Sequence, residues 1–259
     1  MNSPVNSPVA KADLNAAPPP RLGIRIGKRV LRVVDQFFDR HSRIPVTPFL
    51  DAGLFPELLT LQAQWTQVRA ELDQILRKRD EIPAFHQLSP DQVRISKGDA
   101  WKTFAFRVFS RRVDENCAQC PVTSRLLDAL PGLQNAWFSI LAPGYHIPPH
   151  RGPSKAVVRC HLGLQVPVEA ARCRLRVDQE TRHWTAGEWL CFDDTFEHEV
   201  HNDTAETRVV LFLDLDRPLD RVGNIGRHVL LWLIRRSAYV TRPLKNLEEW
   251  NRRLGIRAD

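Results

Sequence analysis

Between Trp137 and Asp216 two histidines, His150 and His198, and two arginines, Arg159 and Arg208, sit among short apolar runs. Residue types of this kind point to one chemistry: a metal held by imidazole beside a carboxylate held by guanidinium. Neutral imidazole is a common ligand for first-row metals. The planar fork of arginine takes a carboxylate through two parallel hydrogen bonds, an anchor that suits the far end of a small dicarboxylate. His150 and His198 are too far apart for one helix, but their spacing suits two strands closing one barrel.

The strands around them can be read by alternation. In the run from Ala156 to Val168, Val158, Cys160, Leu162, Leu164 and Val166 form one continuous apolar face, and Arg159, His161 and Gly163 share the other. An arginine and a histidine together on so apolar a strand point into a polar barrel interior. Arg208 shares its face with Val210 and Phe212. The segment HEVHN-DTAET-RVVL reads as strand, turn, strand, which puts His198 and Arg208 on adjacent antiparallel strands. Non-haem iron oxygenases combine two histidines with one carboxylate and keep positions open for co-substrate and O2. That carboxylate is expected two residues after the first histidine, where this chain has Gly152. On spacing alone the histidines remain equally readable as satisfied core or surface residues.

Many short elements must position these groups. Turn residues recur at Pro143-Gly144, Asp178 to Thr181, Ala186-Gly187 and Asp203-Thr204 with no long helical pattern between them. The expected fold is therefore mainly β with flanking helices, on a double-stranded β-helix (jelly-roll, cupin-like) core. A strand from Trp101 to Phe109 sets Phe104, Phe106 and Val108 on one face, and a short helix opens at Pro121. Upstream, Ile26, Val30, Val33, Val34, Phe37 and Phe38 have helical spacing with Arg25, Lys28, Arg29 and Arg32 opposite. A second helix follows Pro56, with Leu58, Leu61, Trp65, Val68, Leu72 and Ile75 as its buried stripe. The expected organisation is a disordered Pro-rich tail over 1–20, a helical extension over 21–99, a β core over 100–218 and a basic helical segment over 219–259.

Composition sets the bounds. The chain of 259 residues is 43% apolar, yet no run approaches the ~20 apolar residues of a membrane span. The first 20 residues lack a hydrophobic signal segment, so the expected location is cytoplasmic. Net charge is +7 and unevenly placed, with +5 over residues 21–43 and +6 over residues 217–259. Basic ends with apolar stripes suit an anionic surface, and peripheral contact with the inner face of the inner membrane is the expectation. Nucleic acid is not expected, because the basic runs lack interleaved aromatic stacking platforms. Five cysteines form no paired framework, and the lone CxxC of Cys117 and Cys120 has no second half to close a zinc site.

The run FSILAPG…IPPHRGP…VRCHLGLQVPV…W…GE…CFDDTFEHEVHN…RVVLFLDLDRP, over roughly residues 100–218, resembles the aspartyl/asparaginyl β-hydroxylase family of Fe(II)/2-oxoglutarate dioxygenases. That family accepts glycine at the carboxylate position and binds iron with two histidines, so Gly152 agrees with it. The segments FDRHSRIPVTPFLDAGLFPEL and NCAQCPVT look more like the bacterial branch that includes lipid A and ornithine-lipid hydroxylases. The resemblance implies Fe(II) on His150 and His198. It implies 2-oxoglutarate on Ser139, Arg159, His161 and Arg208, with Arg208 at the distal carboxylate, and Asp194 orienting water on the metal. The implied reaction couples oxidative decarboxylation of 2-oxoglutarate, with O2, to hydroxylation of an unactivated C–H, in a lipid acyl chain or alternatively in a peptidyl Asp or Asn. A cupin-like module holding a metal or an anion without catalysis is the non-enzyme alternative.

Overall fold

Alternating apolar residues build two antiparallel sheets in the computed structural model, which describes residues 33–254 except for the side chains at 238 and 239. The expected tail over 1–20 and the part of the first helix up to residue 32 lie outside the described residues. Four strands come before the histidine-bearing turn or form it: β1 (Phe49–Leu50), β2 (Trp101–Val108), β3 (Arg111–Arg112) and β4 (Leu133–Leu141). They are followed by β5 (His146–His150), β6 (Val157–Gln165), β7 (Cys173–Val177) and β8 (Glu180–His183). The last three are β9 (Trp189–Phe192), β10 (His198–Asn202) and β11 (Arg208–Asp216). The large sheet runs β1-β9-β6-β11-β4-β2-β3 and the small one β5-β10-β7-β8.

Helices cover the large sheet. α1 occupies 33–41, followed by α2 (Leu58–Ala63), α3 (Trp65–Leu76) and α4 (Phe85–Leu88). α5 (Asp114–Gln119) and α6 (Pro121–Asp128) come next, and α7 (Arg221–Arg235) and α8 (Ala238–Arg253) are the last among the described residues. The helix expected after Pro56 is two helices, interrupted at Gln64, and its stripe Leu58, Leu61, Val68, Leu72 and Ile75 is buried. That stripe packs on Val158, Cys160, Leu162 and Leu164, the apolar face foreseen for β6. Trp101, Leu141, Leu175, Val177, Trp184, Phe192, Val200 and Val210 form a second core, drawn from both sheets and lying between them. Cys117 and Cys120 are buried free thiols; burial raises the pKa of both, which suits packing rather than redox chemistry.

Two expectations need correction. His198 and Arg208 are not on paired strands: β10 lies in the small sheet and β11 in the large one. The chain turns a corner between them around buried Asn202. The amide of Asn202 donates to the carbonyls of Ala142 (3.0 Å) and Glu206 (2.9 Å), and its oxygen accepts from Thr204 Oγ1 at 2.7 Å. Likewise Val108 does not share a face with Phe104 and Phe106. Pairing with β4 slips between Ala105 and Arg107, and Val108 joins Ala105 in a separate cluster.

Candidate active site

His150 and His198 lie directly opposite each other on β5 and β10, their ring centroids 4.1 Å apart. Each ring is oriented by a carbonyl two residues earlier: Nδ1 of His150 lies 2.9 Å from the Pro148 oxygen, and Nδ1 of His198 lies 3.0 Å from that of Phe196. A carbonyl only accepts, so each Nδ1 carries the proton and each Nε2 presents its lone pair. Burial lowers the pKa of His150 to about 4 and also depresses that of His198. Both rings are thus neutral at neutral pH, the state that binds a metal. Among the described residues, no third His, Cys, Asp or Glu completes a set with this pair in which all ligand atoms lie within 4.8 Å.

Gly152 has a steric reason. A Cβ there would lie 1.9 Å from Oδ2 of Asp194, so that carboxylate fills the space a side chain at 152 would need. Asp194 is fully buried, and neither of its oxygens has a hydrogen-bond partner. Its nearest charge is Arg159, with Nη2 at 2.9 Å from Oδ2 but off the hydrogen-bond axis. Burial pushes the Asp194 carboxyl up to about 7, against the lowering effect of Arg159. The loop that carries it is pinned through Asp193, which pairs with buried Arg217 and accepts from Thr195 Oγ1 at 2.6 Å.

Arg159 lines the cavity beside His150 and is held there by carboxylates of the chain. Its Nε donates to Asp214 at 2.9 Å, it lies over the Phe212 ring at 4.3 Å, and it faces Asp194. Its charge is committed to two carboxylates of the chain, which fits a role in positioning Asp194.

Arg208 is the opposite case. It is 1% exposed, and among the described residues no carboxylate pairs with it. Nε and Nη1 lack hydrogen-bond partners, and the guanidinium lies over the Trp184 ring at 4.6 Å. Burial lowers its pKa to about 10, so it stays charged. Both nitrogens of His161 and Nε1 of Trp184 are also buried without partners. Buried polar groups are normally satisfied, so the unpartnered atoms grouped around the Arg208 cation fit an anion. Ser139 lies on β4 across from Val210, two positions from Arg208 on β11, and its Oγ accepts from Trp101 Nε1 at 3.0 Å.

A cavity of about 350 Å³ opens beside His150. His150, Arg159 and Asp194 form its polar end, and Trp101, Trp137, Phe212, Leu231, Ile234 and Leu247 are among its apolar walls. The two predicted histidines therefore come together, and Arg208, His161 and Ser139 lie on the inner face of the large sheet. Two residues in contact with the predicted arginines were not named from sequence. Asp214 follows Arg208, Val210 and Phe212 by strict alternation on β11, so carrying the period one step further would have found it. Trp184 stands in the run that carries the family resemblance, but it follows an exposed strand and nothing there marked its side chain as facing the site.

Comparison with known proteins places these residues in context. A family described as Aspartyl/Asparaginyl beta-hydroxylase matches residues 62–218. An ornithine lipid ester-linked acyl 2-hydroxylase of Rhizobium tropici is 36% identical over 220 residues, covering 85% of this chain and 78% of that protein. The human aspartyl/asparaginyl beta-hydroxylase is 34% identical over 173 residues, covering 65% of this chain; the match spans 22% of the human protein. Among solved structures, a Pseudomonas putida prolyl-4-hydroxylase aligns at TM-score 0.39 and 20% identity, over 72% of this chain and 98% of that one.

Proposed function

The chain belongs to the aspartyl/asparaginyl beta-hydroxylase family, and on that premise we propose that its hydroxylase chemistry uses Fe(II), 2-oxoglutarate and O2. The observation that carries this reading is the pairing of two neutral, carbonyl-oriented histidines with Arg208, a buried cation lacking any anion of its own. In this assignment His150 and His198 hold the metal through Nε2. Arg208 takes the distal carboxylate of 2-oxoglutarate, and His161 and Ser139 lie along the same inner face. When bound, the metal with 2-oxoglutarate and O2 supplies the oxidising power: the substrate C–H becomes C–OH, and 2-oxoglutarate leaves as succinate and CO2. Asp194, steered by Arg159, accepts a hydrogen bond from water at the polar end of the cavity. Trp101, Trp137 and Phe212 keep bulk water away from the reacting carbon. The catalytic unit in this reading is residues 100–218, with helical cover from the described residues on either side, 33–99 and 219–254.

The substrate we favour is an acyl chain. Polar residues such as Gln92, Arg94, Gln134, Asn135 and Arg151 also line the cavity, but most of its wall is aromatic and aliphatic and reaches to α7 and α8, which suits methylene groups better than a peptide. Arg94 and Arg151, also on the wall, favour a second reading in which an acidic peptide side chain is bound. Access fits the first reading. α7 turns Leu230, Leu231 and Ile234 to the cavity and leaves Ile225 67% exposed and Trp232 53% exposed, with Val222, Val229 and Leu233. Arg236 lies 3.8 Å over the Trp232 ring. No helix among the described residues is long and apolar enough to cross a membrane, so contact through α7 would be peripheral, at the inner face of the inner membrane. The test is incubation with ornithine lipid, lipid A and acidic peptides in turn, with mass spectrometry for a gain of one oxygen. A gain on peptide alone would replace the acyl reading.

A further inference from the structure

The strand that brings His198 inward also carries two ligand-type side chains on its other face. Along β10, His198, Val200 and Asn202 are buried, while Glu199 and His201 alternate with them outward. On β5, His146 is exposed and stands directly opposite His201. The two imidazoles stack at 3.9 Å between centroids, inclined by 18°.

Both rings aim the same nitrogen at one oxygen. His146 Nε2 lies 3.0 Å from Glu199 Oε2, and His201 Nε2 lies 3.4 Å from that same atom. The three ligand atoms all lie within 4.8 Å of one another, and among the described residues this is the only such group. The other oxygen of Glu199 accepts from Arg176 Nε at 2.5 Å, which fixes the carboxylate with Oε2 towards the imidazoles. Metal-ligating carboxylates are commonly oriented by such a hydrogen bond on the far oxygen.

The spacing fits a tetrahedral ion. Ligands at about 2.0–2.2 Å from zinc stand about 3.3–3.6 Å apart at the corners of a tetrahedron, so the two separations to Oε2 need only a few tenths of an ångström of adjustment. Two imidazoles and one carboxylate are borderline ligands that suit zinc and its neighbours rather than magnesium or calcium, which prefer all-oxygen shells. Exposure of His146 leaves the fourth corner to water and gives the ion a way in. The guanidinium of Arg176 disfavours a cation, so binding is weaker than at a closed four-ligand site.

We propose that His146, Glu199 and His201 form a second, outer site for a zinc-class divalent ion that staples β5 to β10. The same strands carry His150 and His198 on the inner face, and their pairing shifts register between His198 and Val200. An ion across the outer face would hold that irregular pair together. This inference does not depend on the proposed reaction.

The experiment uses Zn²⁺ alone as probe, with metal-stripped full-length protein and competition against a chromophoric chelator. Wild type is compared with H150Q/H198Q, which removes the inner pair, and with the same background carrying H146Q/H201Q or E199Q. The expected result is one equivalent of zinc retained by H150Q/H198Q, weakened at least tenfold by either further change, with Mg²⁺ unable to compete. Circular dichroism checks folding, and E199Q, which conserves size, serves if the histidine changes disturb the sheet. Zinc retention unchanged by E199Q, or no retention in H150Q/H198Q, overturns the site.

Discussion

Arg208 carries the sharpest consequence at the scale of single residues. A buried cation whose Nε and Nη1 meet no acceptor of the chain costs stability, and a bound anion relieves it. Arg208→Met should therefore raise the thermal midpoint of ligand-free protein and abolish the further rise on adding 2-oxoglutarate; a lower midpoint without ligand would contradict this. Arg208→Lys keeps the charge but loses the fork. The charged hydrogen bond is worth about 1.5–3 kcal/mol, so affinity for 2-oxoglutarate should drop roughly ten- to a hundredfold. Asp194 sets a pH dependence. Its pKa rises from 3.8 to about 7 on folding, so between these values the folded chain holds a proton that the unfolded chain releases. Stability contributed by that proton is complete below 3.8 and is lost as pH rises through about 7. In urea titrations of metal-free protein, Asp194→Asn should remove this decline; an identical slope in the variant would contradict it. That His150 and His198 meet and that Arg208 turns inward was legible from residue type and alternation. The true partners of Arg159 were not, because Asp194 and Asp214 reach it from segments remote in sequence.

At the scale of elements, the corner between β10 and β11 decides how the metal pair meets the arginine. From sequence it reads as a hairpin, and period-two alternation was read correctly for β6 and β11. Which sheet each strand joins was not legible, because that depends on the Asn202 amide bridging Ala142 to Glu206 across a turn. Replacing Asn202 by Ala strands buried carbonyls at about 1–3 kcal/mol each. Urea unfolding should show a loss of at least about 2 kcal/mol, with metal and 2-oxoglutarate affinities weakened together. A loss in only one of them would mean that the corner does not couple the two halves of the site. Gly152→Ala tests a neighbouring contact: a methyl group 1.9 Å from Asp194 Oδ2 must displace that carboxylate, and turnover should fall well below wild type. Gly152→Ala with full turnover would remove Asp194 from the mechanism.

Across the whole molecule, the basic, apolar-striped C-terminal helices wall the cavity on one side and meet solvent on the other. Val229→Ser with Trp232→Ser should reduce co-sedimentation with anionic vesicles and leave decarboxylation of 2-oxoglutarate intact; unchanged sedimentation would take α7 out of membrane contact. The β architecture and the helical flanks were legible in the spacing of turn residues and apolar stripes. The cavity was not, since its wall is assembled from β2, β4, β11, α7 and α8. The central claim is that His150, His198 and Arg208 form one Fe(II)/2-oxoglutarate site, and succinate production tests it most directly. Metal-stripped wild type should convert 2-oxoglutarate to succinate only when Fe(II) and O2 are restored, and His150→Ala, His198→Ala and Arg208→Met should each reduce that conversion to background. Succinate formed by either histidine variant at the wild-type rate would contradict the account.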